Sequence, residues 1–310
     1  MKVNILFSAN EENWKRYKTP LIEALDATSL DYNLGTGFVP SDVNYIIYAP
    51  SSSLQDFSPF TNLKAVLNLW AGVEGVTNNK TLKVPLARMV DVGLTSGMVE
   101  WVTGHTLRHH LGIDKHIHGQ DGLWRSDVPP LAKDRVVTIL GLGTLGTACG
   151  ITLKKLGFNV RGWSRTNKKV DGISCFFGDD QIDPSLMEAD IVILLLPDTQ
   201  LTQNILNQHT LYLLKRGAFV LNPGRGPLID DDALLEALDS GQIEHATLDV
   251  FRIEPLPKSH RYWSHKKVTV VPHKASDTRP RTSAQVIAMN IKRAENGLEL
   301  LHLVDRDIGY

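Results

Sequence analysis

Short runs of aliphatic and β-branched residues recur along the chain, each followed by a glycine-bearing or amphipathic stretch. They are VNILF from Val3, YIIY from Tyr45, LKAVLNLW from Leu63, VVTIL from Val136, IVILLL from Ile191, AFVLN from Ala218, ATLDVF from Ala246 and VTVV from Val268. Most are apolar without alternation, the pattern of strands buried on both faces of a parallel sheet. The segments between them carry a helical period. In DDDALLEALDSG, Asp230 is placed to cap a first turn, Leu234, Leu235 and Leu238 share a face, and Gly241 is placed to end the helix. Strand and helix in alternation predict an α/β fold with right-handed crossovers.

Eight or more strands exceed what one compact doubly wound sheet commonly holds, and 310 residues leave room for two domains of about 150 residues each. The natural break lies near Asp91–Met98, where DVGLTSGM supplies loop residues before a long helix, GMVEWVTGHTLRHHLG. A second break follows His273. Beyond it SAQVIAMNIKRAENGLELL reads as a helix that returns to the first domain. The expected division is residues 1–94 plus 275–310 against residues 95–274. The polar, proline-containing stretch Asp114–Asp134 reads either as a solvated loop or as an arm laid on a second subunit, since loops of that length are usually functional or disordered.

Composition narrows the function classes. With 42% apolar and 22% charged residues, and Lys+Arg 33 against Asp+Glu 34, the chain is neither disordered nor drawn as a whole to nucleic acid or anionic membrane. Cys149 and Cys175 are too few for a disulfide framework, which suits a reducing, cytoplasmic address. A lone Lys2 and an apolar run ending at Asn10–Glu12 do not make a signal peptide. The longest apolar run, Ile191–Leu196, is far short of the about 20 residues a membrane helix needs. His105 and His109 are spaced for one helix face, but Thr106 stands where the HExxH motif needs glutamate, so no metal is expected.

GLGTLG directly follows the strand VVTIL and opens the helix LGTACGITLKKLG. Gly141, Gly143 and Gly146 thus match GxGxxG in the strand–turn–helix context that a dinucleotide pyrophosphate needs, with Thr144 and Leu145 at the N–H-rich helix start. About 20 residues on, where a ribose-binding carboxylate is expected, the chain reads Ser164, Arg165, Thr166, Asn167, Lys168, Lys169. Hydroxyl, guanidinium and ammonium groups there invite a 2′-phosphate, which predicts NADP(H) in preference to NAD(H). The alternative is a solvated basic turn.

Three later segments, LNPGRGPLIDDDALLEAL, HATLDVFRIEPLP and VTVVPHKAS, each place a charged or titratable residue after a strand, where α/β sheets bind ligands. Arg225 can clamp a carboxylate bidentately, His273 can exchange a proton near neutrality, and Glu254 beside it would favour the charged imidazole. Together they suit reduction of a 2-oxo acid. Taken singly, each also fits a structural role in its loop.

These motifs resemble the nucleotide-binding half of the D-isomer-specific 2-hydroxyacid dehydrogenases. WSRT after the second strand of that half, LWAGVEGV and the terminal VDRDIGY are similar to the glyoxylate/hydroxypyruvate reductase A branch. The resemblance implies two Rossmann-like doubly wound domains: a flavodoxin-like substrate domain and an inserted NAD(P)-binding domain, with the active site in the cleft. It implies that Arg225 binds the substrate carboxylate, His273 gives the proton and Glu254 holds His273. The turn of Trp70, Ala71, Gly72 and Val73 would meet the substrate, with Tyr48 and Met98 either shaping the pocket or simply core. Asp249 would touch the nicotinamide carboxamide, Leu196 and Pro197 would flank the adenosine side, Thr202 would lie near the phosphates, and Pro223 and Gly224 would complete the cofactor contacts. It also implies a homodimer. Pro223 and Lys274 depart from the family pattern, and Lys274, next to the acid, bears on which anion is taken. Two rival functions stay open: reduction of a bulkier 2-oxo acid, and non-catalytic sensing of the dinucleotide.

Overall fold

The computed structural model describes residues 2–309. They form two compact units, residues 2–94 with 277–309, and Thr95–Ser276.

The first unit is built from β1 (Val3–Ser8), α1 (Glu11–Asp26), β2 (Tyr32–Gly35), β3 (Tyr45–Tyr48), β4 (Ala65–Asn68), the single turn α2 (Glu74–Thr77) and β5 (Leu86–Ala87). Its sheet is parallel with order β2-β1-β3-β4-β5, the flavodoxin-like arrangement. Strands β3 and β4 are buried at every position, as their unbroken apolar runs require. Asn10 caps α1 by accepting from the Asn13 N–H at 2.8 Å. That helix lays Tyr17, Leu21 and Leu25 on Val3, Ile5 and Phe7. The edge strands β2 and β5 gave no apolar run in the sequence, because an edge strand needs less apolar surface.

Helix α3 (Val92–His110) begins in this unit and ends in the second. The sequence placed loop residues over DVGLTSG, yet the helix already starts at Val92. Asp91 caps it, accepting from the Gly93 and Leu94 N–H groups at 3.0 and 3.3 Å. Gly93 lies inside the helix because a Cβ there would stand 2.6 Å from the Arg279 side chain.

The second unit continues with α4 (Ile113–His118), β6 (Val136–Leu140), α5 (Thr144–Lys155), β7 (Asn159–Ser164), β8 (Ser174–Phe177), α6 (Ile182–Leu186), β9 (Ile191–Leu194), α7 (Gln208–Leu213), β10 (Ala218–Asn222), α8 (Asp231–Asp239), β11 (Ile243–Leu248) and β12 (Val268–Val270). All seven strands are parallel, in the order β12-β11-β10-β9-β6-β7-β8. This is the doubly wound dinucleotide order with one strand added at an edge. Asp230 caps α8 by accepting from the Ala233 N–H at 3.2 Å, and Gly241 follows with φ 72°. Helix α9 (Pro280–Glu295) belongs to the first unit, where Ala284, Ile287, Ala288 and Ile291 join the core under β1. It begins ahead of the expected Ser283 because Pro280 sits in the first turn, where its missing N–H costs nothing.

The stretch from Asp114 is helical through His118; residues 119–131 then have no regular structure, with Trp124 96% exposed and Leu123 and Val128 also exposed. Tyr48 and Met98 are core: the Tyr48 hydroxyl donates to the Leu54 carbonyl at 3.3 Å, and Met98 packs with Val102. His109 is buried, its ring stacked on Phe219 at 4.7 Å and its Nε2 2.9 Å from Thr247 Oγ1. No helix among the described residues is long and apolar enough to cross a membrane.

Candidate active site

In the second unit the C-terminal ends of β6, β7, β9, β10, β11 and β12 fall on one sheet edge, and every nucleotide-site and acid–base candidate follows one of them. Gly141, first after β6, has φ 112°, and a Cβ there would come within 2.5 Å of the Leu195 carbonyl oxygen. A side chain at Gly146 would strike the Gly141 oxygen at 1.8 Å, so helix α5 meets the turn backbone to backbone. A Cβ at Gly143 would instead meet no protein atom within 4 Å. That is the open approach to the helix N-terminus that a pyrophosphate requires, with the N–H groups of Thr144, Leu145 and Gly146 starting α5.

Ser164 ends β7 nearly buried, its hydroxyl donating to the Thr166 carbonyl at 2.9 Å. Arg165, Thr166 and Lys168 stand exposed beyond it. After β9, Leu196 is buried and Pro197 partly so. The Thr202 hydroxyl is engaged within its own turn, donating to the Pro197 carbonyl at 2.7 Å and accepting from the Thr199 N–H at 2.9 Å.

Glu254 and His273 meet directly, Oε2 to Nδ1 at 2.7 Å. The other Glu254 oxygen accepts from the Phe251 N–H at 2.9 Å, which orients the carboxylate. His273 is held with φ 49°, a region a non-glycine residue enters only when its surroundings enforce it. Asp249 supplies part of that enforcement: its carbonyl accepts from the His273 N–H at 2.8 Å and its Oδ1 from the Lys274 N–H at 2.7 Å. The remaining Asp249 oxygen, Oδ2, is buried without a hydrogen-bond partner, and burial pushes the carboxyl above its ordinary pKa. Buried polar atoms are rarely left unmatched. An orphan acceptor beside His273 fits the amide N–H of a nicotinamide carboxamide.

Arg225 follows Pro223 and Gly224 after β10, its guanidinium donating to the Gly224 carbonyl at 2.6 Å. Asn222 shapes this loop, accepting from the Gly224 N–H at 3.1 Å and donating to the Arg225 carbonyl at 2.9 Å. In the first unit Asn68 does the same after β4, its Nδ2 donating to the Trp70 and Gly72 carbonyls at 2.8 Å each. It thereby shapes the turn that carries Ala71, Gly72 and Val73. Neither asparagine was singled out from sequence; the available signal was a polar residue ending an apolar strand.

Residues 104–275 match the model of the D-isomer specific 2-hydroxyacid dehydrogenase NAD binding domain. The chain belongs to the D-isomer-specific 2-hydroxyacid dehydrogenases. Within that family it resembles the glyoxylate/hydroxypyruvate reductase A of Yersinia enterocolitica, 36% identical across 87% of this chain and 88% of the relative. The Serratia proteamaculans protein of the same name is 39% identical across 80% and 82%. Among solved structures, a D-isomer specific 2-hydroxyacid dehydrogenase of Xanthobacter autotrophicus in complex with NADPH and MES aligns over 100% of both chains, with TM-score 0.93 and 36% identity. An NADPH-dependent glyoxylate/hydroxypyruvate reductase of Sinorhizobium meliloti in complex with NADP and sulfate aligns over 100% of this chain and 99% of its own, with TM-score 0.87 and 31% identity. As a member of this family the dehydrogenase is an oxidoreductase of 2-hydroxy acids that uses a nicotinamide dinucleotide, and it falls in the glyoxylate/hydroxypyruvate reductase A-like branch.

Proposed function

We propose that this dehydrogenase reduces a small 2-oxo acid, glyoxylate to glycolate or hydroxypyruvate to D-glycerate, with NADPH as its preferred reductant. The observation that carries the reading is the 2.7 Å contact between Glu254 Oε2 and His273 Nδ1, on the sheet edge that also bears the glycine turn and Arg225. Bound there, the nicotinamide ring supplies the hydride. His273 gives the proton to the carbonyl oxygen from Nε2, because Glu254 holds the Nδ1 side. Arg225 grips the substrate carboxylate and offsets negative charge developing on the reacting oxygen. Asp249 orients the carboxamide and braces the His273 backbone, while Arg165 and its basic neighbours take the 2′-phosphate. The Xanthobacter relative in complex with NADPH and the NADPH-dependent Sinorhizobium reductase in complex with NADP support that cofactor.

The first unit serves as the substrate domain, and its Trp70–Val73 turn is the element through which it meets the substrate. The exposed apolar Leu123, Trp124 and Val128 pack on a second copy of the chain in a homodimer, since exposed apolar patches mark contact surfaces and twofold assembly is the commonest. Two free cysteines suit the cytoplasm. The test is steady-state NADPH oxidation against glyoxylate, hydroxypyruvate, pyruvate and phenylpyruvate, repeated with NADH. Rapid turnover of the small acids is expected. Faster turnover of phenylpyruvate would assign a bulkier substrate, and tight NADPH binding without turnover of any would make the protein a sensor.

A further inference from the structure

The roles assigned above leave Arg252 unused, two residues before Glu254 in the loop after β11. Its guanidinium donates to the side-chain oxygen of Asn204 and to the main-chain carbonyl of Ile229. Its Nε also lies 3.7 Å from Asp231 Oδ2. Asp231 is itself braced, accepting from the Tyr262 hydroxyl at 3.0 Å with His260 Nε2 at 3.7 Å. One side chain therefore ties together three loops, those after β9, β10 and β11.

The three loops are in register before any side chain is considered. The Asn204 and Leu206 N–H groups donate to the Pro227 and Leu228 carbonyls at 2.9 and 3.0 Å. Where the Arg225 loop crosses the Glu254 loop, a Cβ at Gly226 would lie 2.0 Å from the Phe251 carbonyl carbon. The two main chains touch at that point with no room for adjustment. Phe251 is also the residue whose N–H orients Glu254. The Phe251–Glu254 turn is thus in main-chain contact with Gly226 and tied through Arg252 to Asn204 and Ile229.

We propose that Arg252 is a positioning residue, which fixes the Glu254 carboxylate against His273 by clamping the Phe251–Glu254 turn to the Arg225 loop and to Asn204. The proposal rests on the reading of Glu254 and His273 as the acid–base pair. Nη2 of Arg252 meets the Asn204 and Ile229 oxygens while its Nε faces Asp231; a lysine ammonium has no second nitrogen with which to do both. Arg252 acts only through Glu254, so its removal matters only while Glu254 is present.

The experiment compares wild type, R252M, R252K, E254Q and the R252M/E254Q double variant in two readouts. The first is kcat for glyoxylate with NADPH. R252M is expected to lower kcat by about ten- to a hundredfold, the cost of a displaced catalytic group, and R252K to recover only part of it. In the E254Q background the same change is expected to cost nothing further, the non-additivity of two residues acting as one unit. The second readout, the NMR titration curve of the His273 ring, needs no substrate. The R252M curve is expected to move from that of wild type toward that of E254Q, and it stays informative if glyoxylate proves not to be reduced. A wild-type kcat in R252M, an equal loss in both backgrounds, or an R252M curve that overlays wild type would overturn the proposal. Should R252M fail to fold, the same comparisons are made with R252K, which keeps the charge.

Discussion

The Glu254 carboxylate divides its two oxygens, one accepting from the Phe251 backbone N–H at 2.9 Å and the other 2.7 Å from His273 Nδ1. The imidazole is thereby left with Nε2 as the nitrogen not engaged by Glu254, the one from which the proposed proton transfer would run. His273→Ala is expected to lower kcat by about two to four decades, the usual worth of general acid–base catalysis, while NADPH still binds. Steady-state kinetics with a fluorescence titration of NADPH checks both; near-normal turnover would remove His273 from the chemistry.

Arg165 stands exposed just past the end of β7, beside Ser164 and ahead of Lys168. Arg165→Ala is expected to cost about tenfold in kcat/KM with NADPH, as for one charge-assisted hydrogen bond at an exposed position, and to leave NADH almost untouched. Parallel kinetics with the two cofactors decide it. An equal loss with both would show that the basic turn does not read the 2′-phosphate.

Asp249 has two duties, an orphan Oδ2 and an Oδ1 that holds the Lys274 N–H. Asp249→Ala leaves the part-buried Lys274 N–H without its acceptor, at a cost of about 0.5–1.5 kcal/mol, that of a typical hydrogen bond. A lower Tm and a lower kcat are expected together. Were the Tm to fall with kcat intact, Asp249 would brace the loop and nothing more.

Burial depresses the pKa of His109 to about 3 and of His245 to about 4, with the neighbouring Arg108 guanidinium adding to both. Both values lie below the ordinary 6.5, so the folded chain binds fewer protons than the unfolded chain in between. Stability then rises with pH and is lost as pH falls from about 6.5 toward 4. Urea unfolding at several pH values is expected to show that slope, and His109→Phe, which keeps a ring against Phe219, to flatten it. An unchanged slope in the variant would place the acid sensitivity elsewhere.

Trp124 is 96% exposed in a stretch that also exposes Leu123 and Val128. Replacing all three by serine is expected to convert a dimer into a monomer at micromolar concentration without lowering the unfolding midpoint of the separated chain. Light scattering reads the mass. A wild-type chain that is already monomeric would end the proposal of an arm.

The elements most legible in the sequence were those whose physics is local. β3, β4 and β10 follow from unbroken apolar runs, and α8 from Asp230 before a leucine face. The glycine turn was legible because Gly141 and Gly146 stand where backbone must pass backbone. The short edge strands β2, β5 and β8 carry too little apolar surface to announce themselves. The start of α3 was hidden by Gly93, a residue that usually marks a loop and here admits the Arg279 side chain. Side chains that shape the loops left the weakest trace: Asn68 and Asn222 act on the turns that directly follow them but belong to no period or motif, and the partners of Arg252 lie in other turns of the chain.

The order β12-β11-β10-β9-β6-β7-β8 also makes the sheet a ruler. Four strand steps separate β11, which leads into the loop of Asp249 and Glu254, from β7, which ends at Ser164 just before Arg165. At about 4.8 Å per step this is a span of about 19 Å. Backbone hydrogen bonds, not side chains, set that distance. On the proposed roles the two ends are separately adjustable: changes at the β7 turn are expected to retune which dinucleotide is admitted while the Glu254–His273 pair keeps its geometry.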